Sequence, residues 1–243
     1  MIIDSVDKMN RNISPDDDMY QGNDDHYFGV AESALQCIDA ALRHARRDRD
    51  EIKRILDLPC GYGRVLRILR AAFPRARIVA CDILKEGVDF CASEFEAAPV
   101  YSCEEVKKIP LRENFDLIWV GSLFTHLDAD RWAEFLSFFC DHLNPEGIFL
   151  FSVHGQAMID IIRNKTNTYG LDEPALNYLV KEAETKGFAF EKYPHYTEYG
   201  ISVALPVWVR NQLIAYPSLQ LLRYSEKGWD NHHDVVSCIR IVD

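Results

Sequence analysis

The chain has 243 residues, of which 48% are hydrophobic and 27% charged, and it is long enough to bury a globular core. Its net charge of −11 argues against nucleic acid or an anionic membrane surface as the main partner, because both attract basic surfaces. No apolar run approaches the roughly 18 residues of a membrane helix, and the acidic N-terminus lacks a signal-peptide pattern. The seven cysteines are scattered, without a CxxC pair or an HExxH motif, which indicates reduced thiols in a cytoplasmic protein and no dedicated metal site.

The first two thirds of the chain alternate between helix and strand patterns. After a polar N-terminus that we expect to fray, apolar residues recur at helical spacing from Phe28 to about Arg47. A turn is predicted at 144–147. Strands are predicted over about 53–58, 77–82, 99–102, 115–122 and 148–153, with helices over about 63–72, 85–96 and 130–142. This alternation predicts a parallel sheet with right-handed crossovers.

The last third of the chain has a different pattern. Helices are predicted within 155–168, over 174–185 and from Pro206, where proline suits the first turn. The segments 188–190 and 200–204 are expected to pair with each other, and two further strands close the chain over about 219–226 and 234–242. The sequence shows no internal repeat and no obvious linker, so one domain with an inserted cap is the simplest interpretation.

A glycine-containing loop follows the first predicted strand. An apolar run stops at Asp57, and Gly61 and Gly63 come just before a helical pattern. Glycine lets a ligand approach the backbone closely, because it has no Cβ and tolerates positive φ. The second strand ends on Asp82, in the place where α/β nucleotide sites hold a ribose. These features predict an adenosine-type cofactor, although a plain glycine-containing turn is the alternative.

A dinucleotide site is the alternative interpretation of the same loop. The NAD fingerprint requires a third glycine for close helix–strand packing, and Leu66 occupies that position here. A dehydrogenase is therefore the less favoured function.

Four segments of the chain resemble the class I S-adenosylmethionine-dependent methyltransferases. The segment 57–64 resembles the acidic, glycine-rich first motif of that family, and Asp82 matches the acid after its second strand. The segment 115–127 resembles the fourth strand and its loop, and 143–150 resembles the turn into the fifth strand. The resemblance covers about residues 50–155.

The resemblance implies a fold and a division of the chain. The fold is α/β, with a doubly wound, mostly parallel seven-stranded Rossmann-like sheet, an antiparallel last strand and an inserted cap. The whole of 1–243 would be one methyltransferase domain. Its parts would be an N-terminal lid and helix (1–50), a cofactor-binding core (51–155), a substrate cap (156–217) and a closing hairpin (218–243).

The resemblance also implies S-adenosyl-L-methionine as cofactor and S-adenosyl-L-homocysteine as product. Asp57 and the backbone of 61–63 would face the methionine part, and Asp82 would bind the ribose. Arg64 either reaches the methionine carboxylate or is solvated at the helix start. The family's acid after strand three is missing, so the adenine contact falls to Ser102, Cys103 or Glu104. The complete predicted set is Asp57, Pro59, Cys60, Gly61, Gly63, Arg64, Asp82, Ile83, Ser102, Cys103, Gly121, Ser122, Tyr20 and Tyr27.

The residues Tyr20, His26 and Tyr27 precede the first long helix. In this family such a segment folds over the cofactor as a lid. The alternative is a hydrophobic staple at the start of the helix.

In this fold the acceptor would sit above the ends of the fourth and fifth strands. Candidate bases there are His126 and His154, because histidine titrates near neutral pH, and His233 from the closing hairpin. Each of them could equally cap or pack. His232 and His233 are adjacent, so on extended backbone at most one would face the site. Trp229 of the same turn is expected near the pocket mouth.

The predicted function is methyl transfer to a small-molecule or sugar-containing acceptor, more favourably at oxygen, by in-line displacement. A non-catalytic S-adenosylmethionine-binding regulatory protein is the alternative. We expect no nucleic acid and no membrane partner. The tyrosine-rich segment 155–217 suits a substrate cap or a dimer surface, so the oligomeric state, a homodimer included, stays open.

Overall fold

The computed structural model describes residues 2–194, 196 and 199–241. Its main sheet has seven strands in the order β3-β2-β1-β4-β5-β9-β8, and a second sheet pairs β6 with β7. The strands are β1 (Arg54–Asp57), β2 (Arg77–Asp82), β3 (Ala98–Tyr101), β4 (Phe115–Val120), β5 (Leu143–Val153), β6 (Phe188–Lys192), β7 (Gly200–Ala204), β8 (Leu219–Trp229) and β9 (His233–Arg240). The helices are α1 (Ile2–Asp7), α2 (Asp24–Ala45), α3 (Leu66–Ala72), α4 (Lys85–Phe95), α5 (Ala129–Asp141), α6 (Gln156–Arg163), α7 (Glu173–Lys186) and α8 (Pro206–Ile214).

The main sheet confirms the predicted fold class. Strands β1 to β5 run parallel, and β9 inserts antiparallel between β5 and β8. Alternate residues of β4 enter different cores: Trp119 joins the cluster beneath α2, α3 and α4, whereas Ile118 and Val120 join the cluster beneath α5. Because both faces are covered by helices, the strand is a near-continuous apolar run.

Within the segment 156–217, α6, α7 and the antiparallel β6–β7 pair form a separate layer at the carboxyl edge of the sheet, and β6 pairs with β7 as predicted. Helix α8 lies outside this layer, because Val209 and Leu213 pack in the cluster beneath α5. The layer's own apolar cluster includes Met158, Leu179 and Val203. The backbone N–H of Ala204 donates to the carbonyl of His154 at 2.8 Å, which fixes β7 beside the end of β5. The inserted layer therefore lies where a parallel sheet of this type places its ligands.

The described part of the N-terminal segment packs on the core, and the expected fraying of its first residues stays a prediction. Met9 is buried against α2 and α3. Arg67 of α3 is 1% exposed, and its guanidinium donates to the carbonyls of Asn10 at 3.0 Å and Asn12 at 2.9 Å. A buried arginine needs such acceptors, and the N-terminal backbone supplies them.

Two strand boundaries also differ from the prediction. β5 begins at Leu143, because the predicted turn at 144–147 is absorbed as an irregularity in the pairing between β4 and β5. β8 continues through Trp229. Residue 242 of the predicted last strand lies outside the described residues. In the described part of the chain, no helix combines the length and the hydropathy needed to cross a membrane.

Candidate active site

The loop after β1 is built around two glycines with different tasks. Gly61 (φ 49°) and Gly63 (φ 77°) both have left-handed backbone. A Cβ on Gly63 would lie 2.5 Å from the Phe95 ring, whereas a Cβ on Gly61 would meet nothing within 4 Å. Gly63 is thus required for packing of the loop on α4, and Gly61 leaves open space beside its backbone.

Asp82 joins this loop directly. Its carboxylate accepts the Gly61 N–H at 2.7 Å and the Leu84 N–H at 2.9 Å. The side chain is 7% exposed and borders a cavity of about 480 Å³. The loop and the acid at the end of β2 therefore face each other, as the sequence predicted. A carboxylate has about four lone-pair sites, so these two bonds leave acceptor capacity toward the cavity.

Asp57 is the most unusual group beneath the loop. It is 1% exposed, and neither of its carboxylate oxygens has a hydrogen-bond partner among the described residues. Burial, with the nearby charge of Asp82, raises the pKa of Asp57 well above its ordinary value. An unpartnered buried carboxyl costs stability, so its presence indicates a missing cationic or hydrogen-bonding partner.

The first cavity extends from Asp82 to the first half of α5. Its volume is typical of small-ligand sites. Of the predicted residues, Pro59, Asp82, Ile83, Ser102, Cys103 and Ser122 border it. Ile83 is 58% exposed, and Ile109, Leu123 and Leu127 supply further apolar surface, so the cavity combines an acid with apolar walls.

Ser122 marks the junction with a second cavity of about 380 Å³. It is not a glycine, yet its φ is 62°, and its N–H donates to Ser152 Oγ at 2.8 Å. Strained backbone of this kind clusters at functional sites. Gly121 borders neither cavity. A Cβ there would lie 2.9 Å from the Trp119 and Trp229 rings, so Gly121 is required for packing.

The second cavity lies between the N-terminal segment and the closing hairpin. Arg64 borders it and holds its guanidinium 5.9 Å from the Tyr27 ring. Among the described residues no carboxylate forms an ion pair with Arg64. Burial lowers its pKa, but the guanidinium remains a cation. The second cavity therefore combines the Arg64 cation with the Asp230 carboxylate, and these two groups do not form an ion pair.

His126 lies in a short 3-10 helix (Phe124–His126) after β4 and borders the first cavity. Its Nδ1 donates to the carbonyl of Gly200 at 2.8 Å, and its ring stacks on Tyr199 at 4.6 Å. A carbonyl only accepts, so the proton of the neutral ring is on Nδ1 and Nε2 has a free lone pair. Burial lowers the pKa of His126, which keeps the ring neutral.

The other two predicted bases, His154 and His233, lie next to His126 in a cluster of rings. The ring centroids of His126 and His154 are 6.5 Å apart, and those of His154 and His233 are 4.8 Å apart. Burial lowers the pKa of His154 to about 3 and that of His233 well below its ordinary value. A histidine with so low a pKa is a weak base at neutral pH, so His126 is the best placed of the three.

The prediction for the closing turn is partly wrong. Trp229 does lie beside the second cavity, where its ring packs edge-on against Trp119 at 5.3 Å. However, His232 and His233 both border that cavity, with ring centroids 4.7 Å apart. The turn before them has φ 54° and 53° at 230 and 231, so His232 is not on extended backbone and does not point away.

The predicted lid residues divide between two roles. Tyr27 is 1% exposed and its hydroxyl donates to Asp17, while Tyr20 packs edge-on against Tyr27. Neither borders either cavity. His26 borders the second cavity, together with Met19, which the sequence did not indicate.

Cys60 is also buried away from both cavities. Arg131 and Phe135 of α5 border the first cavity and carry no recognisable signal in the sequence.

Known proteins resemble both the sequence and the fold. Residues 55–147 match a family model described as a methyltransferase domain. The chain is 28% identical over 132 residues to malonyl-[acyl-carrier protein] O-methyltransferase from Bacillus cereus, a match that covers 54% of this chain and 48% of the relative. The chain thus spans about half the length of the Bacillus relatives that it matches.

Two solved structures share the architecture along most of the chain. A S-adenosylmethionine-dependent methyltransferase from Clostridium acetobutylicum has a TM-score of 0.57 at 13% identity, covering 92% of this chain and 94% of its own. The N-methyltransferase NodS from Bradyrhizobium japonicum, solved with S-adenosyl-L-homocysteine, has a TM-score of 0.56 at 13% identity, covering 98% of both chains. At such identities the likeness shows the fold. Together with the matched methyltransferase domain, it supports the resemblance to the class I S-adenosylmethionine-dependent methyltransferases.

Proposed function

We propose that this protein binds S-adenosyl-L-methionine and transfers its methyl group to an oxygen of a small-molecule or sugar-containing acceptor. The methyltransferase domain matched over residues 55–147 supports the reaction class. The Bacillus cereus relative is named an O-methyltransferase, which supports an oxygen acceptor. In this proposal residues 1–243 act as one domain, in which 156–217 is the substrate cap.

The residues around the loop fit the cofactor. Gly61 leaves open space beside its backbone, and Asp57 is a buried acid without a partner. Asp57 would receive the ammonium of the methionine part, and Arg64 its carboxylate. These pairings would give both groups the partner of opposite charge that they lack in the protein alone.

The first cavity, which Asp82 borders, fits a nucleoside. Asp82 would accept hydrogen bonds from the ribose hydroxyls with its remaining lone pairs. Ile83 offers an exposed apolar side chain for the adenine ring, and Ser102 and Cys103 border the same space. Burying a flat apolar ring against such a surface is favourable because it removes apolar area from water.

His126 is proposed as the general base. S-adenosyl-L-methionine supplies an electrophilic methyl group on a sulfonium sulfur, and S-adenosyl-L-homocysteine is left as product. Nε2 of His126 takes the hydroxyl proton of the acceptor as the acceptor oxygen forms its bond to carbon. The Nδ1 bond to Gly200 holds the ring in the tautomer that can accept this proton. His154 and His233 would then hold the surrounding polar groups in place.

The cap would position the acceptor and exclude water. Gly200 and Tyr199 contact His126, so the cap reaches the base itself. Tyr196 and Tyr199 also border the first cavity. Aromatic walls are typical of sites for small organic ligands. Positioning alone can supply about 7–11 kcal/mol of a barrier in favourable cases, so this contribution is as important as the base.

The observation that carries the proposal is the bond from the Gly61 N–H to Asp82 at the edge of an open cavity. Isothermal titration with S-adenosyl-L-homocysteine tests it. Asp82→Asn should weaken binding at least about tenfold, since it removes a charged acceptor. Asp116→Asn is the matched control, because Asp116 also accepts two backbone N–H groups, from Lys53 and Arg54, at the opposite edge of the sheet.

Three outcomes of this titration would contradict the proposal: no binding of the nucleoside by the unmodified protein, equal losses in the two variants, or binding of NADH instead. NADH binding is not expected, because Leu66 is fully buried where a dinucleotide site needs glycine. A regulatory protein without catalysis would bind the nucleoside but would show no turnover with any acceptor.

A further inference from the structure

Three histidines from two distant segments meet beside the second cavity. His154 directly follows β5, and His232 and His233 lie where the closing turn enters β9. One ring nitrogen from each lies within 4.8 Å of the others. Their ring centroids are 4.7 to 5.5 Å apart. Such convergence of imidazoles is uncommon without a ligand, because buried polar nitrogens need partners.

The hydrogen bonds around two of these rings leave a nitrogen available. His154 Nδ1 donates to the carbonyl of Ser202 at 3.2 Å, and His233 Nδ1 lies 3.2 Å from Ser152 Oγ, which can accept its proton. Nε2 of each ring is then free. Metal-binding histidines almost always use their second nitrogen in this way, with a carbonyl or hydroxyl fixing the ring.

The third ring, that of His232, is the one that can move toward the other two. Nε2 of His232 lies 3.5 Å from the Tyr169 hydroxyl, which is too long for a firm hydrogen bond. Ligand nitrogens around a tetrahedral zinc ion are about 3.4 Å apart, given Zn–N distances near 2.1 Å. Closing the present separation thus requires a shift of about 1.4 Å, which His232 can supply because it is only partly buried in a turn.

Charges around the cluster act in both directions. Burial lowers the pKa values of all three rings; neighbouring imidazoles lower those of His154 and His233 further, whereas the Asp230 carboxylate raises that of His232. Neutral imidazole is the form that binds metal. Arg64 borders the same cavity and opposes a cation. In the function proposed above, the methionine carboxylate would offset this charge.

We propose that His154, His232 and His233 form a site for a divalent first-row transition ion of the Zn²⁺ class. Imidazole ligands suit such ions, and a three-histidine set leaves a further coordination position. That position would face the second cavity and would take an oxygen of the acceptor. This use of the ion rests on the proposed methyl transfer, whereas the metal site itself does not.

The test is a metal titration of the purified protein without an affinity tag, after treatment with a chelator. Co²⁺ is the first probe, because its visible absorption bands report tetrahedral coordination, and Zn²⁺ should then displace it. We expect one equivalent to bind. His232→Ala should weaken binding more than about 30-fold, as expected for loss of one of three ligands. Because His232 is partly exposed, this variant should fold.

His44→Ala is the control, since His44 is exposed on α2 and bonds only to a carbonyl of its own helix, that of Ala40. Its metal affinity should equal that of the unmodified protein. His233→Asn is a second variant and should abolish the tetrahedral Co²⁺ spectrum. An absence of Co²⁺ and Zn²⁺ binding, or equal binding by the His232 and His44 variants, would overturn the site. The nucleoside titration is independent of this result, so the two proposals can fail separately.

Discussion

The two cavities meet at Ser122, but they are assembled in different ways. The first is bordered mainly by the ends of successive strands and the loops that follow them, and its acid and glycine loop are about 20 residues apart in the chain. The second draws residues from the N-terminal segment, the cap and the closing hairpin. Local strand–loop–helix units can therefore specify the first cavity, which fits a nucleotide. The second cavity forms only when distant segments of the chain come together.

The two cavities also differ in charge. The first is bordered by Asp82, with Asp57 buried beneath the adjoining loop, whereas the second is bordered by Arg64, Asp230 and the two adjacent histidines. A zwitterionic cofactor with a sulfonium centre would satisfy both cavities at once. The following predictions test this division, beginning with the largest expected effect.

Loss of the proposed base should have the largest effect. His126→Asn removes Nε2 from the first cavity, and kcat should fall by about 10²–10⁴ with little change in KM, because the ring acts on the proton of the acceptor. Steady-state kinetics with an identified acceptor measure both constants. His44→Asn, which loses a similar Nδ1 bond to a carbonyl on an exposed helix, should leave them unchanged. A fall in kcat of less than threefold for His126→Asn would remove its assignment as base.

The stability of the protein should depend on Gly63, because this glycine packs the loop against α4. Gly63→Ala places a Cβ against the Phe95 ring at positive φ, so it should lower the free energy of unfolding by about 2–4 kcal/mol. Gly170→Ala is the control, since its φ of 75° is similar but its surroundings are open, and it should cost about 1 kcal/mol. Urea unfolding followed by circular dichroism measures both. Equal losses of the free energy of unfolding in the two variants would show that packing at Gly63 contributes nothing to stability.

Acid should destabilise the protein through its histidine cluster. The pKa values of His126, His154 and His233 are lowered in the folded state, so below about pH 6.5 the unfolded chain binds protons that the folded chain excludes. Stability is thus complete above that pH and falls below it, by up to about 1.4 kcal/mol per pH unit for each histidine. For His154 the fall continues to about pH 3.

Urea unfolding as a function of pH measures this slope, and His154→Asn should reduce it. The exposed control His44→Asn should keep it. Asp57 acts with the opposite sign: its raised pKa adds stability at low pH that is lost as the pH rises through the folded value. An unchanged slope in His154→Asn would contradict the burial of that ring.

The smallest effect is expected at the apolar wall of the first cavity. Ile83 is 58% exposed, so Ile83→Ala should leave the stability unchanged but lower the affinity for S-adenosyl-L-homocysteine about threefold to tenfold, because less apolar area is buried on binding. Isothermal titration measures the affinity. Ile214→Ala, which is 76% exposed and borders neither cavity, is the matched control. Equal affinities in the two variants would mean that the adenine lies elsewhere.

Residues close in sequence gave reliable predictions at the first cavity. Asp57, Gly61, Gly63 and Asp82 are all at the loop that their spacing predicted, since a strand, a tight turn and a helix are local structures. Even there the roles needed the structure. Only the placement of Phe95 distinguishes the packing glycine at 63 from the open one at 61.

Side-chain direction in irregular segments was predicted less well. Tyr27 has the composition of a lid residue, but it is buried because Asp17 and Arg67 surround its hydroxyl. His232 faces the same cavity as His233, because the left-handed turn before it removes the alternation of a strand. Neither outcome can be inferred from periodicity, which describes only regular backbone.

The sequence alone determined the alternating α/β sheet, the glycine loop and the acid beside it, because strand and helix periods and a strand–turn–helix unit are encoded over a few tens of residues. The tertiary structure decided that β5, the closing turn and the inserted layer bring His126, His154, His232 and His233 into one cluster of rings. Segments separated by about 30 to 80 residues meet only through packing of the whole sheet, and no local pattern records that meeting.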